Sequence, residues 1–225
     1  MFYFLGIDLG GSKNTWVVAL KENPYERERL YLCEAPLKNN YPGKIPLEEI
    51  LKFAKENRVL TVAIDAPLSF SLNLEKGWRK SDLTLRSLLP QEGKNWVLSY
   101  HALMGIPIRG YLLAQSLCPY VGTILESHPR ANLYMILPEN RKYLAHKYKK
   151  GGLLPEERSF LMSYVTDLFK IELTEEVIDN SGLLDALLCA LVGFYYCRYP
   201  EKLTFLPPEE EAIGFGPFVI FKEIL

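Results

Sequence analysis

The opening stretch, MFYFLGIDLGGSKNTWVVAL, constrains the fold more than any other part of the chain. Phe2 to Asp8 has the apolar run of a strand, and Thr15 to Leu20 has the run of a second one returning beside it. Between them Gly10-Gly11-Ser12-Lys13-Asn14 supplies the residues a tight strand-to-strand turn needs, since glycine adopts conformations closed to other residues. Asp8 poses the chemical question. A carboxylate ending a buried strand requires a partner or a cation, because burying an unpaired charge is costly. Two chemistries meet that need: a phosphate-binding hairpin whose backbone donors cradle an anion, with Lys13 beside it, or one ligand of a metal site.

Further along, Leu30 to Ala35 reads as a third strand, so the sheet begins as an antiparallel meander. Pro46-Leu47-Glu48-Glu49 starts a helix that runs to about Asn57, with Leu47, Ile50, Leu51 and Ala54 on one face. Val59 to Asp65 is a short buried strand stopped by Ala66-Pro67. Residues from about Phe70 to Pro119 carry weaker periodicity and read as a helical and loop excursion. Tyr120 to Glu126 resumes the strand pattern. Helices are expected from Pro129, over Pro155 to Lys170 and over Leu183 to Cys197, before a final extended segment. The expected architecture is α/β: a mixed five-stranded sheet, three antiparallel strands followed by parallel ones, flanked by helices. Residues 1–225 are expected to form a single domain with an insertion at about 70–119.

Composition narrows the function classes. A net charge of −1 argues against a protein that coats nucleic acid through a global basic field, though not against a local basic patch. No run reaches the ~18 apolar residues that span a bilayer, so no membrane anchor is expected. Met1 to Leu9 lacks a basic leader and a cleavage site, so no signal peptide is read there. Cys33, Cys118, Cys189 and Cys197 form no C-x-x-C pair, and His101, His128 and His146 have no metal-motif spacing. A reduced, cytoplasmic protein without structural zinc is the expectation.

Four acids stand apart from the charged surface runs. They are Asp8 in Gly-Ile-Asp-Leu-Gly, Asp65 in Ala-Ile-Asp-Ala-Pro, Glu126 in Ile-Leu-Glu-Ser, and Asp185 in Leu-Leu-Asp-Ala-Leu-Leu. The first three end or nearly end expected strands, and neighbouring strands lie ~4.8 Å apart, so their carboxylates can share one cation. Ala186, Ala190 and Gly193 let the last helix approach the sheet and deliver Asp185. Crowded carboxylates raise one another's pKa, and a hard divalent cation, Mg²⁺ or Mn²⁺, relieves that conflict. The plainer reading of each acid is a cap: Asp65 of a turn, Asp185 of a helix.

GIDLGGSKNTWVVAL, VAIDAPLSF, the R-x-x-D-x-x-x-R of Arg79, Asp82 and Arg86, ILESHPR and LLDALLCALVG, in that order, resemble the domain-of-unknown-function family 429. That family is described as predicted nucleases with an RNase H-like fold, and the resemblance spans nearly the whole chain. It implies a phosphodiester-hydrolysing site on Asp8, Asp65, Glu126 and Asp185, similar to that of RNase H and the Holliday-junction resolvases, with Mg²⁺ or Mn²⁺ as cofactor and nucleic acid as partner. One departure is visible. Resolvase-like last helices often carry a second acid or histidine one turn before the aspartate, where this chain has Gly182, and Asp179 lies further back.

Arg79, Asp82 and Arg86 share one helix face, either as an ion-pair ladder or with the arginines holding substrate phosphate. His128 precedes Pro129 and is read as a helix-start residue or as a site residue. The segment Arg141 to Lys150 interleaves bases with two tyrosines and contains no acid, so Lys147 and Lys149 are candidates for a nucleic-acid surface; Gly151-Gly152 after it suggests a flap. Two rival functions stay open. Asp8 to Lys13 matches the phosphate hairpin of sugar and acid kinases of the actin-like ATPase group, whose second glycine loop has only Gly214-Phe215-Gly216 as a counterpart. The other rival is a catalytically inactive RNase H-like binding module.

Overall fold

The computed structural model of the chain describes residues 1–10, 14–22, 30–32, 47–71 and 77–223. Gly11, Ser12 and Lys13, the remainder of the third expected strand after Leu32, Cys33, and Pro46 at the expected helix start lie outside them. The hairpin is present as β1 (Phe2–Leu9) and β2 (Thr15–Glu22), antiparallel, with Asp8 opposite Trp16. β3 (Leu30–Leu32) pairs with the far edge of β2. After α1 (Leu47–Glu56), β4 (Val59–Asp65) pairs parallel to β1, placing Asp8 directly opposite Asp65.

A two-residue strand, β5 (Ser69–Phe70), leads to three helices: α2 (Lys80–Leu88), α3 (Tyr100–Leu103) and α4 (Ile106–Leu117). β6 (Val121–Glu126) then pairs parallel to β4. The central sheet therefore has the order β3-β2-β1-β4-β6, three antiparallel strands followed by parallel ones, the RNase H-like arrangement. Helices α5 (Pro129–Ile136), α6 (Leu144–Lys147), α7 (Pro155–Phe169), α8 (Glu175–Asp179) and α9 (Ser181–Arg198) follow. The chain finishes with β7 (Leu203–Phe205), β8 (Ile213–Gly214) and β9 (Val219–Phe221). β7 pairs with β9, and β8 pairs with β5.

Alternation along the strands divides the core between the two faces of the sheet. On one face Leu5, Ile7, Val62 and Ile64 pack with Ile50 and Phe53 of α1 and Leu113 and Leu117 of α4. On the other Phe4, Ala63 and Leu125 pack with α5, α7 and α9. α9 is 18 residues long with a mean hydropathy of 1.2, enough by length and composition to cross a bilayer, yet 67% of it is buried inside the protein. Its apolar character belongs to a helix enclosed on nearly all sides.

Two glycines set how closely α9 approaches. A Cβ on Gly6 would stand 1.8 Å from the Ala186 carbonyl oxygen, and one on Gly193 would stand 2.4 Å from Thr61 Oγ1. Small residues on both surfaces thus bring the helix backbone onto β1. That contact carries Asp185, four residues after Ser181, to the sheet end where β1 and β4 finish.

Candidate metal centre

Asp8, Asp65 and Asp185 converge: one carboxylate oxygen from each lies within 4.8 Å of the others. The register explains the first two. Asp8 and Asp65 are direct partners on adjacent parallel strands, so both side chains leave the α9 face of the sheet at the same level. Asp185 descends on that face from the first turns of α9, which Asn180 caps by accepting from the Gly182 and Leu183 N–H groups at 3.0 and 3.3 Å. The cap is Asn180; Asp185 itself is fully buried at the sheet.

Glu126, expected beside these acids, is placed elsewhere. It is opposite Ile64 rather than Asp65, and one residue of register sends a side chain to the other face. There its Oε2 accepts from Arg79 Nη1 at 2.7 Å and from the Leu68 N–H at 2.9 Å, while Oε1 meets Arg79 Nη2 at 2.5 Å. Glu126 still lies near enough to Asp65 for its charge to oppose ionisation there.

The expected substrate-holding residues have partners within the protein. Arg79, only 2% exposed, spreads its fork over two acids, with Nε and Nη2 on Asp82 at 3.0 and 2.6 Å. It sits just before α2, and Asp82 also accepts its backbone N–H at 3.2 Å. Burial opposes its charge, but Glu126 and Asp82 more than offset this and keep it protonated. Arg86 donates to the Lys94 and Val97 carbonyls and lies over the Trp78 ring. His128 caps α5: its Nδ1 accepts from the Ala131 N–H at 3.2 Å, so Nε2 carries the proton shared with the Trp96 carbonyl. Burial lowers its pKa, as that neutral tautomer requires. Lys147 pairs with Glu157 at 2.6 Å. Lys149 makes an ion pair with Asp185 Oδ2. Lys13 lies outside the described residues.

A cleft of about 260 Å³ opens beside the acids, with Asp65, Glu126, His128, Arg130, Trp96 and Lys149 among its walls. Sequence reading did not select Arg130 or Trp96. The guanidinium of Arg130 lies 4.3 Å from the Trp96 ring centroid and donates to the Ala145 and His146 carbonyls. Arg130 closes the ILESHPR motif four residues after Glu126, but its stacking on Trp96, 34 positions earlier, is a product of the fold.

The electrostatics suit a cation. Burial, together with Asp65, pushes the Asp8 carboxyl up to about 7, against the pull of Lys149. Burial raises Asp65 to about 6, with Lys149 opposing the shift and Glu126 adding to it. Three hard oxygen donors in reach of one another, two of them raised toward neutral pH chiefly by burial and further by neighbouring carboxylates, fit Mg²⁺ or Mn²⁺. The sign of the resulting pH dependence follows directly. Because the folded state holds these protons more tightly than the unfolded chain, metal-free stability falls as pH rises from about 4 to about 7. Asp8→Asn is therefore expected to raise the metal-free melting temperature, by more at pH 8 than at pH 5, in paired thermal scans. A change at pH 8 no larger than that at pH 5, or a negative one, would contradict a raised Asp8 carboxyl in the folded state.

The position one turn before Asp185 is filled from across the sheet. A Cβ on Gly182 would stand 2.1 Å from Cδ1 of Trp16, whose indole lies over that turn. Asp179, further back, pairs with Arg158 at 2.9 Å. The late glycine cluster also has a local use: Gly214, at φ +144°, brings β8 against Leu68, and the Phe215 N–H donates to the Leu68 carbonyl at 3.0 Å. Of the cysteines, Cys118, Cys189 and Cys197 are free, and Cys33 lies outside the described residues.

No family model and no curated protein matches the chain significantly. Among solved structures, that of Thermus thermophilus RuvC is similar at 14% identity, over 87% of this chain and 95% of that chain, with a TM-score of 0.37.

Proposed function

We propose that this chain is a divalent-metal-dependent nuclease of the kind described for the domain-of-unknown-function family 429, hydrolysing phosphodiester bonds of nucleic acid. The observation that carries the reading is the meeting of Asp8, Asp65 and Asp185, delivered by two adjacent parallel strands and the buried helix packed on them. Asp8, Asp65 and Asp185 would hold the ion; Glu126, clasped by Arg79, lines the cleft beside Asp65. A divalent cation there would supply Lewis acidity to a phosphodiester oxygen and to the attacking water. The chain's own groups do the rest. Asp65 faces the cleft, and Trp96 with Arg130 on it offers an aromatic and cationic wall suited to a nucleotide.

The test is cleavage of single-stranded, duplex, hybrid and branched substrates with Mg²⁺ or Mn²⁺. Activity is expected with metal and absent with chelator. Asp65→Asn should lower it by more than about a hundredfold, beyond the range for groups that merely orient a ligand. Metal binding without cleavage of any substrate would favour the inactive binding module. Thermal stabilisation by ATP but not by metal alone would favour the kinase.

A further inference from the structure

We propose that Lys149 is a tethered competitor for the metal: without the ion its ammonium neutralises Asp185, and metal binding expels it into the cleft. This inference rests on the metal-centre reading above. Both oxygens of Asp185 are engaged by one short turn. Tyr148 Oη donates to Oδ1 at 2.6 Å, and Lys149 pairs with Oδ2. Burial, with the nearby Asp65 charge, holds the Tyr148 hydroxyl well above its ordinary pKa, so it remains a neutral donor. The same ammonium also acts on Asp8 and Asp65, opposing the rise of each. One cation thus serves all three aspartates.

A tyrosine hydroxyl and a metal ion can share a carboxylate, because a carboxylate oxygen has lone pairs for both. An ammonium and a divalent cation on the same oxygen cannot coexist comfortably, since like charges at contact distance repel strongly in a site shielded from water. Ion entry therefore needs Lys149 to leave. The turn is built for such a move. Tyr148–Lys150 is a single 3-10 turn, and Gly151 follows at φ +63°, a backbone state that glycine adopts freely. A Cβ on Gly151 would meet nothing within 4 Å, so its surroundings leave room for rotation. Lys147, on the near side, stays anchored to Glu157, which also accepts from the Leu154 N–H at 2.7 Å. The fixed points bracket the turn, and the side chain of Lys149 is already 31% exposed on the cleft side. Released, its ammonium lies in the cleft wall beside Arg130, where a phosphate would meet it.

Two measurements test this on the full-length protein. Calorimetric titration with Mn²⁺ should show Lys149→Gln binding at least about tenfold more tightly than wild type, whereas Lys149→Arg, which keeps the charge, should stay near wild type. Reductive methylation of wild type, read by mass spectrometry, should modify Lys149 slowly without metal and several times faster with Mn²⁺, and this needs no variant to fold. Equal or weaker binding by Lys149→Gln, or labelling of Lys149 unchanged by bound Mn²⁺, would overturn the competitor role while leaving the metal centre intact. Absence of Mn²⁺ binding by both wild type and Lys149→Gln would remove the metal centre and the competitor together. Binding by the variant alone would support the competitor in its strongest form.

Discussion

Replacing Arg79 with methionine is expected to lower stability by about 3–5 kcal/mol, the cost of leaving buried charges without their partner. The guanidinium holds Glu126 and Asp82 at once, and all three are almost wholly shielded from water. In a chain of 225 residues that loss corresponds to a melting temperature lower by roughly 6–20 °C. The defect should carry a pH signature. With Arg79 gone, burial favours Glu126 as a neutral carboxyl in the folded state, so the penalty grows as pH rises above the unfolded carboxylate range and shrinks in acid. Adding Asp82→Asn and Glu126→Gln to Arg79→Met should therefore recover part of the stability at pH 8. Arg79→Lys should not rescue, because a single ammonium cannot span two carboxylates with fork geometry. Chemical denaturation at pH 5 and pH 8 checks each point, and a variant as stable as wild type would mean the cluster is structurally idle.

Gly6→Ala is the second large effect, and it reports on the centre rather than on charge. The added carbon would stand 1.8 Å from the Ala186 carbonyl oxygen and 2.3 Å from the Ala190 nitrogen, both backbone atoms. Neither can rotate away, so α9 must lift from β1. A loss of about 3 kcal/mol or more is expected, at the upper end of overpacking costs. Asp185 rides on the displaced segment, so any Mn²⁺ affinity should fall along with stability. By contrast, Gly151→Ala, at a position open on all sides, should leave the core intact and change only the turn. Thermal scans together with Mn²⁺ titration separate the two, and undiminished metal affinity in a folded Gly6→Ala protein would uncouple Asp185 from the helix seat.

Much of the fold was legible because it is written locally. Val59–Asp65 runs from the same apolar start to the same proline stop in sequence and in structure, and Pro129 and Pro155 mark helix starts by their own chemistry, whereas the last helix begins at Ser181 under an Asn180 cap, two residues before the expected Leu183. The short pairings β5–β8 and β7–β9 were not legible, because two or three residues carry no periodicity and their hydrogen-bond partners lie far along the chain. Glu126 marks the same boundary within the site. That it ends a strand is a local fact, whereas its side of the sheet depends on register with β4, a relation between strands. Arg79 and Asp82 stood out by spacing, yet the third member of their cluster comes from 44 residues beyond Asp82. Lys149 lies in a basic run containing no acid, which reads as a nucleic-acid surface; its partner Asp185 comes from the last helix, a relation the local sequence does not carry.

The indole of Trp16 against Gly182 has a historical consequence. An acid at position 182 alone would collide with the ring, while a smaller residue at position 16 alone would leave a hole beside the helix and gain nothing in exchange. A further ligand at position 182 thus requires two substitutions, on elements more than a hundred and sixty positions apart, neither of which helps without the other. Such a pair forms a ratchet: a lineage that has passed through it in either direction finds the way back obstructed by its own packing.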